Sequence, residues 1–68
     1  MTEAEALDKA ITKLGSQSEL ARRLSIKPQS VQHWVATGRV PGNRVLDIER
    51  LVEGAVTRHQ LRPDFYPA

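Results

Sequence analysis

Apolar residues return along the first part of the chain every three or four positions, which is the period of an α-helix. Ala4, Leu7, Ile11 and Leu14 form this stripe among charged residues, and the next residue, Gly15, is of a type that commonly ends helices. The spacing therefore predicts a first helix that ends at Gly15.

The following residues have the pattern of a short second helix. Ser16 stands three positions before Glu19, which is the S-x-x-E spacing of a capping box at a helix start. We expect this helix to end near Ser25. Its predicted buried stripe consists of Leu20, Ala21 and Leu24.

Two prolines predict the starts of two further helices, because proline lacks the amide hydrogen that the first turn of a helix leaves unpaired. A third helix is expected from Pro28 to Gly38, and a fourth from Pro41 to Gly54. The inner face of the third is predicted to contain Val31, Trp34 and Val35. The stripe of the fourth contains Val45, Ile48, Leu51 and Val52.

The C-terminal segment is less regular. Thr57 and Gln60 have the spacing to cap one more helical turn, although residues 56–60 also fit a short strand, and we favour the turn. Prolines then stop regular structure and predict an extended end. The whole pattern predicts an all-α fold in a single domain, residues 1–68: four to five compact helices with a short extended C-terminal tail.

Composition adds that this domain is small. The chain has 68 residues, 40% of them hydrophobic, with a net charge of +2, two histidines and no cysteine. Domains below about 70 to 80 residues usually rely on disulfides, a metal or a partner chain. Self-association is therefore the expected aid. The longest apolar run, 34–36, is far shorter than the roughly 20 residues that span a bilayer, and residues 2–5 do not resemble a secretory signal, so we expect a cytoplasmic protein.

Charge is concentrated in the middle of the chain. Residues 15–44 carry five basic side chains against Glu19 alone, whereas both ends are slightly acidic. Such a basic segment is typical of a protein that binds a polyanion, although chance clustering on a solvated surface explains the charge alone equally well. We expect Arg22 and Arg23 to belong to the solvated surface.

Residues 16–37, which contain the stretch SQSELARRLSIKPQSVQHW, have the length and turn of a helix-turn-helix unit. Ala21 supplies the small side chain needed where the two helices cross, and Ser25 stands where many such motifs have glycine. This stretch resembles the helix-turn-helix of the lambda-repressor/Cro superfamily. With the following run to the LRPD segment, the chain is similar to small prophage Cro-type and YdaS-type regulators. The resemblance implies a dimeric repressor that binds DNA.

In a helix-turn-helix the second helix enters the major groove of DNA. The predicted base-reading residues lie on the outer side of that helix: Lys27, Pro28, Gln29, Ser30, Gln32 and His33. Gln29 is the leading candidate, because a glutamine amide can pair bidentately with adenine. Pro28 offers only apolar contact at a position where family members often carry a polar one.

Phosphate contacts are expected on both sides of this helix. Gln17 and Ser18 lie in the first turn of the second helix, where free amides and the helix dipole favour an anion. Ordinary helix-start propensity also explains these two residues. The resemblance implies backbone contacts for Arg39, Asn43 and Arg44.

Three large apolar residues remain after the helical stripes are assigned, namely Leu61, Phe65 and Tyr66. We predict that they form a homodimer interface, with packing on their own domain as the alternative. No enzyme activity, cofactor or metal site is expected, because no nucleophile stands beside a base and the histidines are 26 residues apart. The alternative function is a protein-interaction module or an antitoxin of a YdaS-type pair, with DNA binding secondary; the basic segment favours DNA.

Overall fold

The computed structural model describes residues 1–67 and contains only helices and turns in that range. The α-helices are α1 (Glu3–Leu14), α2 (Gln17–Leu24), α3 (Pro28–Thr37), α4 (Val45–Leu51) and α5 (Arg58–Leu61), and a 3₁₀ turn at Gly42–Arg44 precedes α4. The predicted all-α class is confirmed. No helix in the described range is long and apolar enough to cross a membrane.

The two N-terminal caps differ in how complete they are. Thr2 and Glu5 form a full capping box at the start of α1, each side chain binding the other's backbone N–H. At α2 the hydroxyl of Ser16 accepts the N–H of Glu19 at 3.1 Å, as predicted. The Glu19 carboxylate does not return to the cap but pairs with Arg22 and Arg23. The second cap is therefore half of the predicted box.

One core joins all five helices. Its buried members are Ala6, Leu7, Ala10, Leu20, Ala21, Val31, Trp34, Val40, Val45, Ile48, Val52, Val56 and Leu61. Trp34 is only 5% exposed, so the inward face of α3 is anchored by its largest side chain. The apolar surface removed from water along these helices supplies the main driving force for folding.

Two details of the predicted stripes are wrong. Val35 is 42% exposed rather than part of the inner face. On the helical wheel Val35 lies about 40° from Val31, on the side away from Trp34, where it lines a groove beside α1 instead of entering the core. In α1 the buried stripe is centred on Ala6 and Ala10, while Ala4 is exposed.

Helix α4 is shorter than predicted. Pro41 precedes the 3₁₀ turn, and the α-helix itself begins at Val45. It ends before Glu53 and Gly54, which have φ values of 53° and 79°. Two successive residues in the left-handed region reverse the chain direction, which returns the chain to α5.

The C-terminal helical turn is present, but the extended tail is not. Thr57 and Gln60 make the predicted capping box at α5. Beyond it, the N–H groups of Phe65 and Tyr66 donate to the carbonyl of Arg62 at 3.1 and 2.8 Å. We call residues 62–66 the C-terminal turn.

The structure also corrects the prediction for Leu61. Its side chain is fully buried in the domain's own core, so it offers no surface to a second subunit. Tyr66 packs partly against the same core, whereas Phe65 is 60% exposed. Of the three residues predicted for the interface, Phe65 retains the most free apolar surface.

Candidate nucleic-acid interface

Helices α2 and α3 form a helix-turn-helix with the turn at residues 25–27. Ser25 adopts φ 58° and ψ 41°, the left-handed conformation that glycine supplies in many such turns. The N–H of Ser25 donates to Arg22 and the N–H of Ile26 to Ala21, at 3.1 and 3.0 Å. Ala21 is 1% exposed, because the two helices pack closely at that point.

The outer side of α3 is polar and free of acidic residues. Gln29, Gln32 and His33 are exposed and lie three and four positions apart, so they share one helical face. Lys27 and Pro28 are exposed at its N-terminus, and Ser30 is half-buried.

The polar side chains of this face are available to a ligand. In the part of the chain that the structure describes, the hydrogen-bonded side chain of α3 is Thr37, whose hydroxyl donates to the carbonyls of His33 and Trp34. The base-reading candidates therefore keep their donors and acceptors directed to solvent. Because Val31 and Trp34 are anchored in the core, the backbone that carries them is fixed.

The N-terminus of α2 adds backbone donors beside α3. Ser16 caps the N–H of Glu19, and the first backbone bond of the helix joins Leu20 N–H to the Ser16 carbonyl at 3.1 Å. The N–H groups of Gln17 and Ser18 precede both of these bonds. Gln17 also lines a small groove with Val35 of α3, so the start of α2 lies next to one side of that helix.

The arginines of the basic segment are not equally free. Arg22 and Arg23 both pair with Glu19, and the hydrogen bonds from Arg22 and then Arg23 lower the pKa of that carboxyl to about 2. These two arginines are thus surface ion-pair partners on α2, 70% and 42% exposed.

The cations on the other side of α3 fall into two groups. Arg39 lies beside two carboxylates, with its guanidinium 3.2 Å from Glu3 and 4.0 Å from Asp64. Within residues 1–67, no carboxylate lies within 4.0 Å of Lys27 or Arg44. Lys27 and Arg44 therefore carry the unneutralised positive charge next to α3.

A groove at the C-terminal end of α3 contains residues that the sequence pattern did not indicate. His33 and Arg39 line it together with Glu3 and Arg62. The predicted residues His33 and Arg39 are thereby brought to one surface. Glu3 and Arg62 lie 59 positions apart in the sequence, which is why no local spacing could have found them; the nearest signal was the R-P-D run that places Arg62 close to Asp64.

An exposed polar helix held on a capped partner helix by a left-handed turn defines a helix-turn-helix protein. The chain belongs to the YdaS family: the family model described as "Bacterial toxin YdaS" matches residues 7–68.

Two relatives are similar along most of the chain. A protein of Escherichia coli (strain K12) named "Putative transcriptional regulator YdaS" is 42% identical over 52 residues, which are 75% of this chain and 53% of that protein. The chain thus spans about half the length of that curated relative. The structure of the Cro protein from putative prophage element Xfaso 1 in Xylella fastidiosa strain Ann-1 matches with a TM-score of 0.89 and 49% identity, over 93% of this chain and 97% of that one.

Proposed function

We propose that this protein is a sequence-specific regulator of transcription that binds double-stranded DNA, a Cro-type prophage repressor whose α3 enters the major groove. The observation that carries the proposal is the outer face of α3, where Gln29, Gln32 and His33 are exposed on a helix anchored by Trp34. The names of the two relatives, a transcriptional regulator and a Cro protein, support it.

The chemistry of this face is suited to base edges rather than to phosphates. Amide side chains both donate and accept, and glutamine matches the N6 donor and N7 acceptor of adenine, worth about 1 to 3 kcal/mol of discrimination. Pro28 has no donor and would meet an apolar group such as a thymine methyl. We therefore assign base reading to the outward residues at the start of α3, with Gln29 as the principal member: Lys27, Pro28, Gln29, Ser30, Gln32 and His33.

Phosphate binding is assigned to the two flanks of α3. The backbone N–H groups of Gln17 and Ser18 favour an anion at the start of α2, which is eight residues long. On the opposite flank, Arg39, Asn43 and Arg44 follow α3 directly, and Arg44 is free of carboxylate partners in the described range. Contacts of this kind fix the register of the reading helix without carrying sequence information.

We further propose that two subunits bind a palindromic operator. Reading helices that enter successive major grooves on one side of DNA are about 34 Å apart. The longest dimension of this chain is 29 Å, so one subunit cannot reach two half-sites. Two copies related by a two-fold axis would read an inverted repeat with centres about 10 base pairs apart.

The dependence of DNA affinity on salt tests the proposal. About three to five phosphate contacts per subunit give a slope of log K against log salt near −5 to −9 for a dimer. We would select bound duplexes from a random pool, then titrate the selected duplex and a scrambled one at several salt concentrations. A steep slope with clear preference for the selected duplex is the expected result. A slope near zero, or no retardation of any duplex at low salt, contradicts it.

Two observations favour a second candidate, a function directed at another protein. The matching family model is described as a bacterial toxin, and Phe65 presents an apolar ring to solvent. If the protein acts on another protein, substituting Gln29 and Arg44 is expected to leave its effect on the host cell unchanged. The DNA-binding function predicts that these substitutions abolish it.

A further inference from the structure

Arg62 lies outside the proposed DNA-contacting set, and its side chain makes three hydrogen bonds. Its side chain is only 12% exposed. One terminal nitrogen donates to the backbone carbonyl of Val40 at 2.7 Å. The other terminal nitrogen and Nε donate to the two carboxylate oxygens of Asp64 at 2.8 and 2.9 Å. A guanidinium bound on both edges has a single orientation.

The same group is linked to the start of α1. Oε1 of Glu3 is buried, has no hydrogen-bond partner within residues 1–67, and lies 3.7 Å from Nε of Arg62. Its other oxygen accepts from Arg39 at 3.2 Å. The two arginines, Arg62 and Arg39, thus each lie beside both carboxylates, those of Glu3 and Asp64. The hydrogen bond from Arg62 keeps the pKa of the Asp64 carboxyl well below its usual range.

Phe65 forms a second attachment between the same segments. The guanidinium of Arg62 lies over its ring, 5.3 Å from the centroid. The ring itself rests against Gly42, where an added Cβ would overlap it. The absence of a side chain at Gly42 is what lets the ring approach.

These contacts hold one loop at two points. The 39–44 loop follows α3 and carries Arg39, Asn43 and Arg44. It has no α-helical hydrogen bonding of its own before Val45, and its buried apolar anchor is Val40. Arg62 binds the loop at Val40, and Phe65 covers it at Gly42.

We infer that Arg62 is a positioning residue for DNA binding: it holds the 39–44 loop in the geometry from which the loop reaches the phosphate backbone. The inference rests on the proposed function. We do not place Arg62 among the DNA contacts, since its side chain is only 12% exposed and three of its five N–H donors are engaged by Asp64 and Val40. DNA binding would then depend on a residue of the C-terminal turn, because that residue holds the loop that makes the phosphate contacts beside α3.

The first test is Arg62→Lys, which keeps the charge but cannot bind a carboxylate and a carbonyl through a planar fork. The matched control is Arg50→Lys, because Arg50 is 79% exposed and the grooves beside it contain none of the proposed DNA-contacting residues. Removing one protein–phosphate interaction lowers DNA affinity about eightfold near 0.1 M salt and makes the slope shallower by about 0.9. We expect this change per subunit for Arg62→Lys, so that the slope of a dimer becomes shallower by about 1.8, and we expect no change for Arg50→Lys.

A double-mutant cycle with Arg44→Ala separates positioning from general loss of stability. If Arg62 acts through the loop, Arg62→Lys costs much less affinity when Arg44 is already replaced. Base preference at the position read by Gln29 is expected to remain as in the original chain. Fully additive losses in the cycle, or an unchanged salt slope in folded Arg62→Lys, overturn the inference.

Gly42→Ala provides an independent variant that leaves every charge in place. The new methyl group displaces the Phe65 ring from the loop, so the salt slope is expected to become shallower, as in Arg62→Lys. This variant decides the question if Arg62→Lys fails to fold: a folded Gly42→Ala with an unchanged slope overturns the inference. Failure of the unmodified chain to bind any duplex would instead contradict the proposed function.

Discussion

Gln29 and Arg44 represent the two kinds of contact in the proposed complex. Gln29 lies on the exposed face of α3, and Arg44 ends the 3₁₀ turn beyond it. Replacing an amide that pairs with one base removes discrimination at that base, whereas replacing a phosphate contact weakens binding to all sequences equally.

We therefore expect Gln29→Ala to cost about 1 to 3 kcal/mol on the preferred site and to relax preference at one position per half-site. Arg44→Ala is expected to lower affinity for every sequence and to make the salt slope shallower by about 1 per subunit. Both variants would be measured on a set of duplexes with single-base changes. Identical loss profiles across that set would refute the division of roles.

Individual residues show where sequence patterns suffice. The spacing of Val31 and Trp34 predicted two core positions correctly, because helical period alone decides which residues share a face. It failed at Val35, one position further, because that side chain lines a groove between α1 and α3, which helical period alone does not indicate. Arg62 was not predicted at all, since its partner Val40 is 22 positions away and only the fold brings them together.

At the scale of elements, the turn between α2 and α3 contains a strained residue. Ser25 has φ 58°, a conformation that costs a residue with a side chain roughly 1 to 2 kcal/mol. We expect Ser25→Gly to raise the free energy of unfolding by about 0.5 to 1 kcal/mol, part of the gain being offset by the greater freedom of glycine in the unfolded chain. Urea denaturation checks this.

Ser16→Ala, at the other end of α2, is a comparison variant for which the opposite change is expected. It removes the acceptor for the Glu19 N–H and should lower the free energy of unfolding by about 1 kcal/mol. A Ser25→Gly variant that unfolds at lower urea than the original chain would contradict the expected relief of backbone strain at this position.

The pairing of α4 with α5 predicts how stability responds to acid. Glu49 accepts the backbone N–H of Arg58 at 2.6 Å and its guanidinium at 2.9 Å, and these bonds, the guanidinium first, lower the pKa of Glu49. The pKa of Glu19 is shifted in the same direction, from 4.5 to about 2. A carboxyl whose folded pKa is depressed contributes stability above its unfolded pKa and loses it as pH falls through the folded value.

The urea midpoint is therefore expected to fall as pH is lowered from about 4.5 towards 2. Glu49→Gln should lower the midpoint at neutral pH and flatten this dependence, because the variant has no carboxyl left to protonate at that position. Glu53→Gln is the control, since Glu53 is exposed just beyond the end of α4. Equal pH dependence in the two variants would show that the contact between Glu49 and Arg58 does not couple folding to pH.

The presence of each helix was easier to predict than the position of all its ends. The caps at Ser16 and Thr57 and the proline at Pro28 identified three helix starts, because capping is decided by residues a few positions apart. The start of α4 and the folding back of the C-terminal turn were missed. Both depend on the contacts of Gly42 and Arg62 with distant parts of the chain.

At the scale of the whole molecule, the proposed dimer needs a surface that one subunit leaves open. The burial of Leu61 removes it from that surface and means that cutting the chain before it would damage the core. Phe65 is 60% exposed on one side while its other side covers Gly42. A ring fixed in place and half open to water is a suitable centre for a small two-fold interface.

We expect Phe65→Ala to weaken association by at least about tenfold, because a buried aromatic ring contributes roughly 1.5 to 3 kcal/mol. Sedimentation of the free protein and of its complex with a palindromic duplex measures this directly. Val35→Ala is the control, since Val35 is 42% exposed but lies on α3 away from the C-terminal turn. The association of the free protein does not depend on the 39–44 loop reaching DNA, so it separates dimerisation from the role of Arg62. Unchanged association in Phe65→Ala would assign the interface to another surface, and a complex of one chain on the full palindrome would exclude the dimer.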